Sequence, residues 1–141
     1  MNQERVKMVK VVIDTNAFVS SLSTKSETHR LIELVRYKII EVYLTTEIML
    51  EYEEKLNEKY QIIIVENFIK ALTEFRNVYQ VKTFYYWNLL KDEDDNKFVD
   101  CYVAANADYL ITNDKGFNQL KNVDFPKINT ITLQDFLKIT T

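Results

Sequence analysis

Glycine, proline, cysteine and histidine each occur only once in this chain of 141 residues. Because Gly116 and Pro126 stand alone, the chain has no glycine-rich loop of the kinds that bind dinucleotides or nucleoside triphosphates. The same scarcity excludes the glycine-flanked serine of an α/β-hydrolase. A single histidine, His29, excludes histidine-rich zinc sites. Most common enzyme chemistries are therefore absent, and carboxylate chemistry remains.

Length and composition predict one soluble domain spanning residues 1–141, with 47% hydrophobic and 28% charged residues. No apolar run reaches the roughly 18 residues of a membrane span, and residues 1–10 lack the apolar centre of a signal peptide. One cysteine, Cys101, fits a reducing cytoplasm, where we expect the protein to act. The net charge of −3 gives no general attraction to nucleic acid, so such binding must be local or mediated by a metal ion.

Strand-like and helical patterns alternate along the chain. This alternation predicts one small parallel β-sheet with helices on both faces, a three-layer α/β/α sandwich. The predicted strands cover residues 9–13, 39–44, 81–86, 109–111 and 128–131. The predicted helices cover residues 17–22, 26–37, 45–59, 62–78 and 97–106, with a last helix from about residue 133.

The first predicted strand, rich in valine, stops at Asp14 and is followed by Thr15 and Asn16. Its β-branched residues favour a central strand that is covered on both faces. A carboxylate at the C-terminal end of such a strand lies where open α/β sheets place their ligands. An equally weighted alternative is that Asp14 only caps the next helix.

A second short strand repeats this ending, because Thr112, Asn113 and Asp114 follow the apolar residues 109–111. In a parallel sheet the two strands deliver Asp14 and Asp114 to the same edge. Neighbouring carboxylates raise each other's pKa unless a cation compensates their charge. A hard divalent ion bound through oxygen atoms is the natural compensation, so the pattern predicts a metal site.

The acidic stretch that begins at Asp92 offers a third carboxylate. On a helical wheel Asp95 lies near the centre of the apolar face of the following helix, and Asp94 is its alternate. One of these two also suits the helix N-cap. Asp100 points away from the apolar face, and we interpret it as solvated.

Glu51 is a fourth candidate, at the border of the apolar face of the helix predicted at 45–59. The alternative is a surface ion pair with Lys55, four residues further along the helix. Three converging aspartates favour the interpretation of Glu51 as a ligand.

Four segments resemble the PIN-domain nucleases, most closely the VapC-like toxins of bacterial toxin–antitoxin pairs. The segments are VVIDTN, TTEIMLEYEEKL, DEDDNKFVDCYVAANADYLITND and INTITLQDFL. The resemblance implies an acidic pocket that holds Mg²⁺ or Mn²⁺ and metal-dependent hydrolysis of single-stranded RNA. It also implies a cognate antitoxin protein as a partner.

On the motif positions of this family, the acidic residues are Asp14, Glu51, Asp95 and Asp114. Thr15 and Asn16 fall beside the first of them, where a side chain orients that carboxylate. Two departures concern the last strand, because Gly116 replaces a second acid that many relatives have, and Asn113 replaces a glycine. Occupancy by one or two metal ions therefore stays open, as does the choice among Asp92, Asp94, Asp95 and Asp100 for the third ligand.

The remaining expectations concern partners and alternatives. Lys25, Arg30, Lys97 and Lys115 lie in or near loops at the predicted edge, where they meet RNA or are ordinary surface residues. The aromatic residues 84–87 favour a place in the core or a protein interface over stacking on bases. Apolar and aromatic surface favours a homodimer. The alternative function is a catalytically silent PIN-like module that binds RNA or protein.

Overall fold

Five parallel strands form one sheet in the computed structural model, which describes residues 8–140. Residues 1–7 and residue 141 lie outside the described part. Most of the N-terminal segment on which the signal-peptide expectation rests is therefore not described. The strands run in the order β3-β2-β1-β4-β5. They are β1 (Val9–Ile13), β2 (Ile40–Leu44), β3 (Val78–Gln80), β4 (Tyr109–Ile111) and β5 (Thr130–Ile131).

The helices complete the predicted α/β/α sandwich, which is confirmed. Helix α5 packs on β1, β2 and β4, while α1, α3 and α4 pack against one another. The helices are α1 (Thr15–Ser20), α2 (Arg30–Arg36), α3 (Thr46–Asn57), α4 (Ile62–Glu74), α5 (Asn96–Ala105) and α6 (Leu133–Ile139). No helix within residues 8–140 is long and apolar enough to cross a membrane.

The central strand is buried on both faces, because Val11, Val12 and Ile13 have no exposed surface. Tyr52 of α3 reaches its end, where the phenol hydroxyl donates a hydrogen bond to the Ile13 carbonyl oxygen. The Tyr52 ring also stacks on Phe18 of α1, with 4.3 Å between ring centroids. This contact fixes the middle of α3 beside the residue that follows β1.

The strand predicted at residues 81–86 is wrong. Strand β3 instead covers Val78–Gln80, whose last residue pairs with Leu44 at the end of β2. The Val81 N–H still donates to the Leu44 carbonyl at 2.8 Å, but β2 ends there and offers no further partner. Residues 81–89 continue outside the sheet as a segment without regular secondary structure, which we call the covering segment.

Several predicted boundaries also differ from the structure. The helix predicted at 62–78 ends at Glu74, because Phe75 has an extended backbone. The last strand is only two residues long, and a 3₁₀ helix that the sequence pattern did not indicate covers Lys115–Asn122.

Candidate functional site

The ends of β1 and β4 bring two of the predicted acids to one edge of the sheet. Ile13 pairs with Ile111, and the Asp14 N–H donates to the Ile111 carbonyl at 2.9 Å. The strand order reverses between these two strands, since β2 and β3 lie on one side of β1 while β4 and β5 lie on the other. Open α/β sheets form their ligand crevices at such switch points.

Asp14 is buried, with 6% of its surface exposed. It occupies the N-cap position of α1, yet its side chain makes no capping hydrogen bond there. Instead its Oδ2 accepts a hydrogen bond from the Thr112 hydroxyl at 2.8 Å. Asp14 therefore stands at the start of α1, as the capping alternative expects, but its carboxylate is bound by Thr112 and does not cap the helix.

Thr112 connects the two aspartates. Its hydroxyl donates to Asp14 and accepts a hydrogen bond from the Asp114 N–H at 3.0 Å. Asp114 is exposed, and its Oδ1 accepts from the Gly116 N–H at 2.8 Å. The Asn113 side chain is turned toward α6, where its Oδ1 accepts from the Leu133 N–H at 3.0 Å. Asp114 thus faces the edge, whereas Asn113 ties the edge to α6.

A cleft of about 320 Å³ opens in front of Asp14. Asp114 and Asn113 line one side of it, and Asn16, Ala17 and Ser20 of α1 line the other. Asn16 is exposed and lines the same cleft as Asp14, and its supporting role stays a prediction.

Glu51 is half-buried and lies next to the residue that follows Asp14. The Thr15 hydroxyl donates to Glu51 Oε2 at 2.5 Å, and Lys97 Nζ lies 3.4 Å from the same oxygen. The alternative ion pair with Lys55 is wrong, because Lys55 pairs with Glu58 at 3.8 Å. Glu51 is therefore held at the edge by residues of α1 and α5.

Asp95 is half-buried at the start of α5. It is the residue of the 92–95 stretch whose pKa responds to the charges of Asp14 and Asp114 at the edge. Burial makes the largest contribution to a raised pKa, and the negative charges of Asp92, Asp14 and Asp114 add to it, so that the Asp95 pKa is about 6 although Lys97 lowers it. Asp92 and Asp94 are exposed, and Asp92 Oδ1 accepts a hydrogen bond from the Asp94 N–H at 3.1 Å. This contact makes Asp92 the cap of the turn and supports Asp95 as the third candidate.

The interpretation of Asp100 as solvated is wrong. Only 5% of its surface is exposed, and its Oδ1 accepts a hydrogen bond from the Trp87 N–H at 3.0 Å. The helical wheel places Asp100 off the apolar face of α5 correctly, but the covering segment 81–89 packs over that side of the helix. Asp100 anchors this segment to α5. Burial raises the Asp100 pKa, with a smaller contribution from Glu47.

Three of the four aromatic residues at 84–87 do not belong to the core. Phe84, Tyr85 and Tyr86 are 92%, 63% and 68% exposed. Trp87 is half-buried and packs against the core, as one of the two favoured alternatives predicted, and its ring centroid lies 5.8 Å from that of Phe125. The alternative of a core position is therefore wrong for the three exposed rings, and an interface or a stacking surface remains for them.

The predicted basic residues divide into one that reaches the acids and three that do not contact them. Lys97 contacts Glu51, whereas the exposed Arg30 donates from Nη2 to the Thr140 carbonyl at 2.7 Å, close to the end of α6. Lys25 and Lys115 are exposed. Sequence reasoning named Lys97 but missed its ion pair with Glu51, because the two residues lie on different helices.

The acids influence one another electrostatically. Burial raises the pKa of Asp14, and the charges of Asp114 and Glu51 raise it too, against the lowering effects of the Thr112 hydroxyl and the Thr15 N–H. Carboxylates that are partly buried and repel one another suit a hard divalent cation, which compensates their charge. As the side chains stand, no group of three or more acidic, histidine or cysteine residues within 8–140 is arranged to hold a metal ion. Enclosing an ion therefore requires carboxylate side chains to rotate toward one another.

Comparisons with known proteins agree with this geometry. Residues 10–116 match the profile of the PIN domain. An uncharacterised protein of Methanocaldococcus jannaschii is 32% identical over 137 residues, which cover 93% of this chain and 87% of that protein. A chain in the crystal structure of VapBC2 from Rickettsia felis, bound to a DNA fragment from their promoter, is similar in fold, with a TM-score of 0.61 and 14% identity over 88% of this chain and 98% of that one. The PIN domain endonuclease Utp24 is also similar in fold, with a TM-score of 0.52 and 18% identity over 87% of this chain and 84% of that one.

Proposed function

The chain belongs to the PIN-domain family of nucleases, and from that premise we propose that it is a divalent-cation-dependent ribonuclease. Its substrate would be single-stranded RNA, whose phosphodiester bonds it hydrolyses. The observation that supports this proposal is the meeting of Asp14 and Asp114 at the switch point of the sheet, with Glu51 and Asp95 directed to the same edge.

Asp14, Glu51, Asp95 and Asp114 would hold Mg²⁺ or Mn²⁺. When bound, such an ion polarises a phosphate oxygen and lowers the pKa of a water molecule, which supplies the nucleophile at neutral pH. Two threonines position the acids, since Thr112 donates to Asp14 and Thr15 donates to Glu51.

Gly116 supports occupancy by a single ion. It stands where many relatives carry a further acid, and its own N–H donates to Asp114. A Cβ atom at this position would lie 3.3 Å from Asp114 Oδ1, so a larger residue here would press on the carboxylate. This corner of the edge would thus bring one carboxylate to the ion.

We further propose that the protein is the toxin of a toxin–antitoxin pair and acts in the cytoplasm. The fold likeness to a chain of VapBC2 supports an antitoxin partner. Ile62, Ile63 and Ile64 at the start of α4 are 68%, 56% and 52% exposed, which supports burial against that partner or in a homodimer. The free and buried Cys101 fits a reducing compartment.

A catalytically silent RNA- or protein-binding module is the second candidate function. It is favoured by one observation, namely that within residues 8–140 no carboxylate group is already arranged around an ion position. The two functions differ in a direct assay of RNA cleavage.

The test incubates the purified protein with mixed-sequence RNA in Mn²⁺, in Mg²⁺ and in EDTA. We expect cleavage only with the cations, its loss in Asp14→Asn, and its retention in Asp124→Asn. The second variant removes the same charge from an exposed residue in the loop before β5. Cleavage that survives both chelation and Asp14→Asn would refute the site, and RNA binding without cleavage would establish the silent module.

A further inference from the structure

One lysine lies between two of the four acidic positions. Lys97 Nζ is 3.4 Å from Glu51 Oε2, and only 15% of the lysine side chain is exposed. The same ammonium donates to the Asp94 carbonyl oxygen at 2.5 Å, and its charge lowers the pKa of Asp95. A single positive charge thus acts on acids of both α3 and α5.

This ion pair differs from those on the surface. Lys55–Glu58 and Lys138–Asp135 join residues three apart on one helix, with side chains between 44% and 80% exposed. Such exposed pairs contribute little to stability. Lys97 instead joins two helices and is largely withdrawn from water, so its ammonium must be compensated by fixed partners. Its Nζ also lies 5.3 Å from the centroid of the Phe98 ring.

The contacts of Glu51 are unevenly divided between its two oxygens. Oε2 accepts from the Thr15 hydroxyl and pairs with Lys97. Within residues 8–140 no group donates a hydrogen bond to Oε1, which leaves that oxygen available for a cation. The Lys97 ammonium therefore lies at Oε2. A cation bound by both oxygens of Glu51 would need Oε2 as well as Oε1.

We infer that Lys97 is a resident counter-ion that competes with a divalent cation for Glu51, an inference that rests on the proposed function. In the metal-free protein the ammonium offsets part of the repulsion among the carboxylates. Because an ammonium and a divalent cation at the same carboxylate repel each other, binding of one weakens binding of the other.

The competition couples cation binding to substrate binding. An ammonium that leaves Glu51 stays at the edge, where its N–H groups suit a phosphate oxygen. By linkage, a phosphodiester that attracts Lys97 strengthens cation binding, and the cation strengthens phosphodiester binding equally. Lys97 is in this sense a positioning residue that acts through Glu51.

The test is a calorimetric titration of the full chain with Mn²⁺ alone. Coupling of this kind is typically 5-fold or more, so we expect Lys97→Gln to bind Mn²⁺ about 5–10-fold more tightly than the wild type. Lys97→Arg keeps the charge and should bind as the wild type does. The matched control Lys55→Gln removes the same charge on the helix of Glu51 and should change affinity less than about twofold, because its pair is exposed.

A second measurement needs no metal ion. Thermal unfolding of the metal-free wild type, Lys97→Gln, Glu51→Gln and the double variant forms a cycle, in which we expect the two single losses not to add. Equal or weaker Mn²⁺ binding by Lys97→Gln, or additive losses, would overturn the role of Lys97 while leaving the ribonuclease proposal intact. Absence of Mn²⁺ binding in every variant, together with absence of cation-dependent cleavage, would overturn both.

Discussion

Replacement of Thr112 by valine should weaken the fold and the site together. Thr112 is 5% exposed, and its hydroxyl makes two hydrogen bonds, to Asp14 Oδ2 at 2.8 Å and from the Asp114 N–H at 3.0 Å. Valine has nearly the same shape but neither donates nor accepts. Thr112→Val therefore leaves the packing intact and removes only the bridge between the two aspartates.

The expected loss follows from these two bonds. A hydrogen bond to a charged group contributes about 1.5–3 kcal/mol and a neutral one about 1 kcal/mol. The extra methyl group of valine offsets about 1 kcal/mol, so the free energy of unfolding should fall by about 1.5–3 kcal/mol. At about 4 °C per kcal/mol for a chain of this size, the melting temperature should fall by about 6–12 °C.

The same change should affect activity through Asp14. The Thr112 hydroxyl lowers the pKa of Asp14, which burial raises, so its loss should move the pKa further up. A carboxylate must be ionised to hold a cation. We therefore expect the acidic limb of the cleavage profile against pH to move toward higher pH.

The assays are thermal unfolding of the metal-free protein and RNA cleavage with Mn²⁺ between pH 5 and 8. Thr112→Ser is the matched variant, because it keeps the hydroxyl and loses only a methyl group, at a cost of about 1 kcal/mol. The reasoning is refuted if Thr112→Val is as stable and active as the wild type. It is also refuted if Thr112→Ser loses as much activity as Thr112→Val.

Three further predictions concern single residues. The Asp95 pKa is raised from 3.8 to about 6 in the folded state, so its contribution to stability is complete below about pH 4 and is lost as pH rises through about 6. The metal-free protein should resist urea better at pH 5 than at pH 7.5, by about 1 kcal/mol after allowance for solvent screening, and Asp95→Asn should flatten this difference. Asp100→Asn should retain cleavage, since Asp100 binds Trp87 away from the edge, whereas Asp95→Asn should abolish it in the same assay. Tyr52→Phe should lower the free energy of unfolding by about 1–2 kcal/mol in urea titration, because the buried Ile13 carbonyl loses its phenol donor.

Much of the fold follows from local patterns. The valine-rich β1 and the short β4 were predicted because apolar runs of this kind are typical of central strands, and both are buried. The strand predicted at 81–86 failed for a reason outside its own residues. Its aromatic and β-branched side chains suit a strand, but β2 ends at Leu44 and leaves nothing to pair with.

The acidic residues also differ in how far local sequence predicts their surroundings. A helical wheel predicts that Asp95 faces the edge; in the structure Asp95 lies in the turn just before α5, where the charges of Asp14 and Asp114 raise its pKa. The wheel was wrong about Asp100, since the covering segment 81–89 comes from another part of the chain. The choice between a ligand and a surface ion pair for Glu51 likewise depended on Lys97, which lies 46 residues further on.

The contacts that assemble the edge join elements that are distant in sequence. Thr112 donates to Asp14 across 98 residues, Tyr52 donates to Ile13 across 39, and Thr15 donates to Glu51 across 36. None of these bonds has a periodic signature, because each forms only after β1, β4 and α3 have met. The edge holds carboxylates partly out of water and close together at a cost, visible in the pKa values of Asp14 and Asp95, which burial raises most and neighbouring acids raise further. Because hydrogen bonds between elements, not local propensity, hold these charges in place, the site should lose its geometry before the sheet unfolds when any one of the three donors is removed.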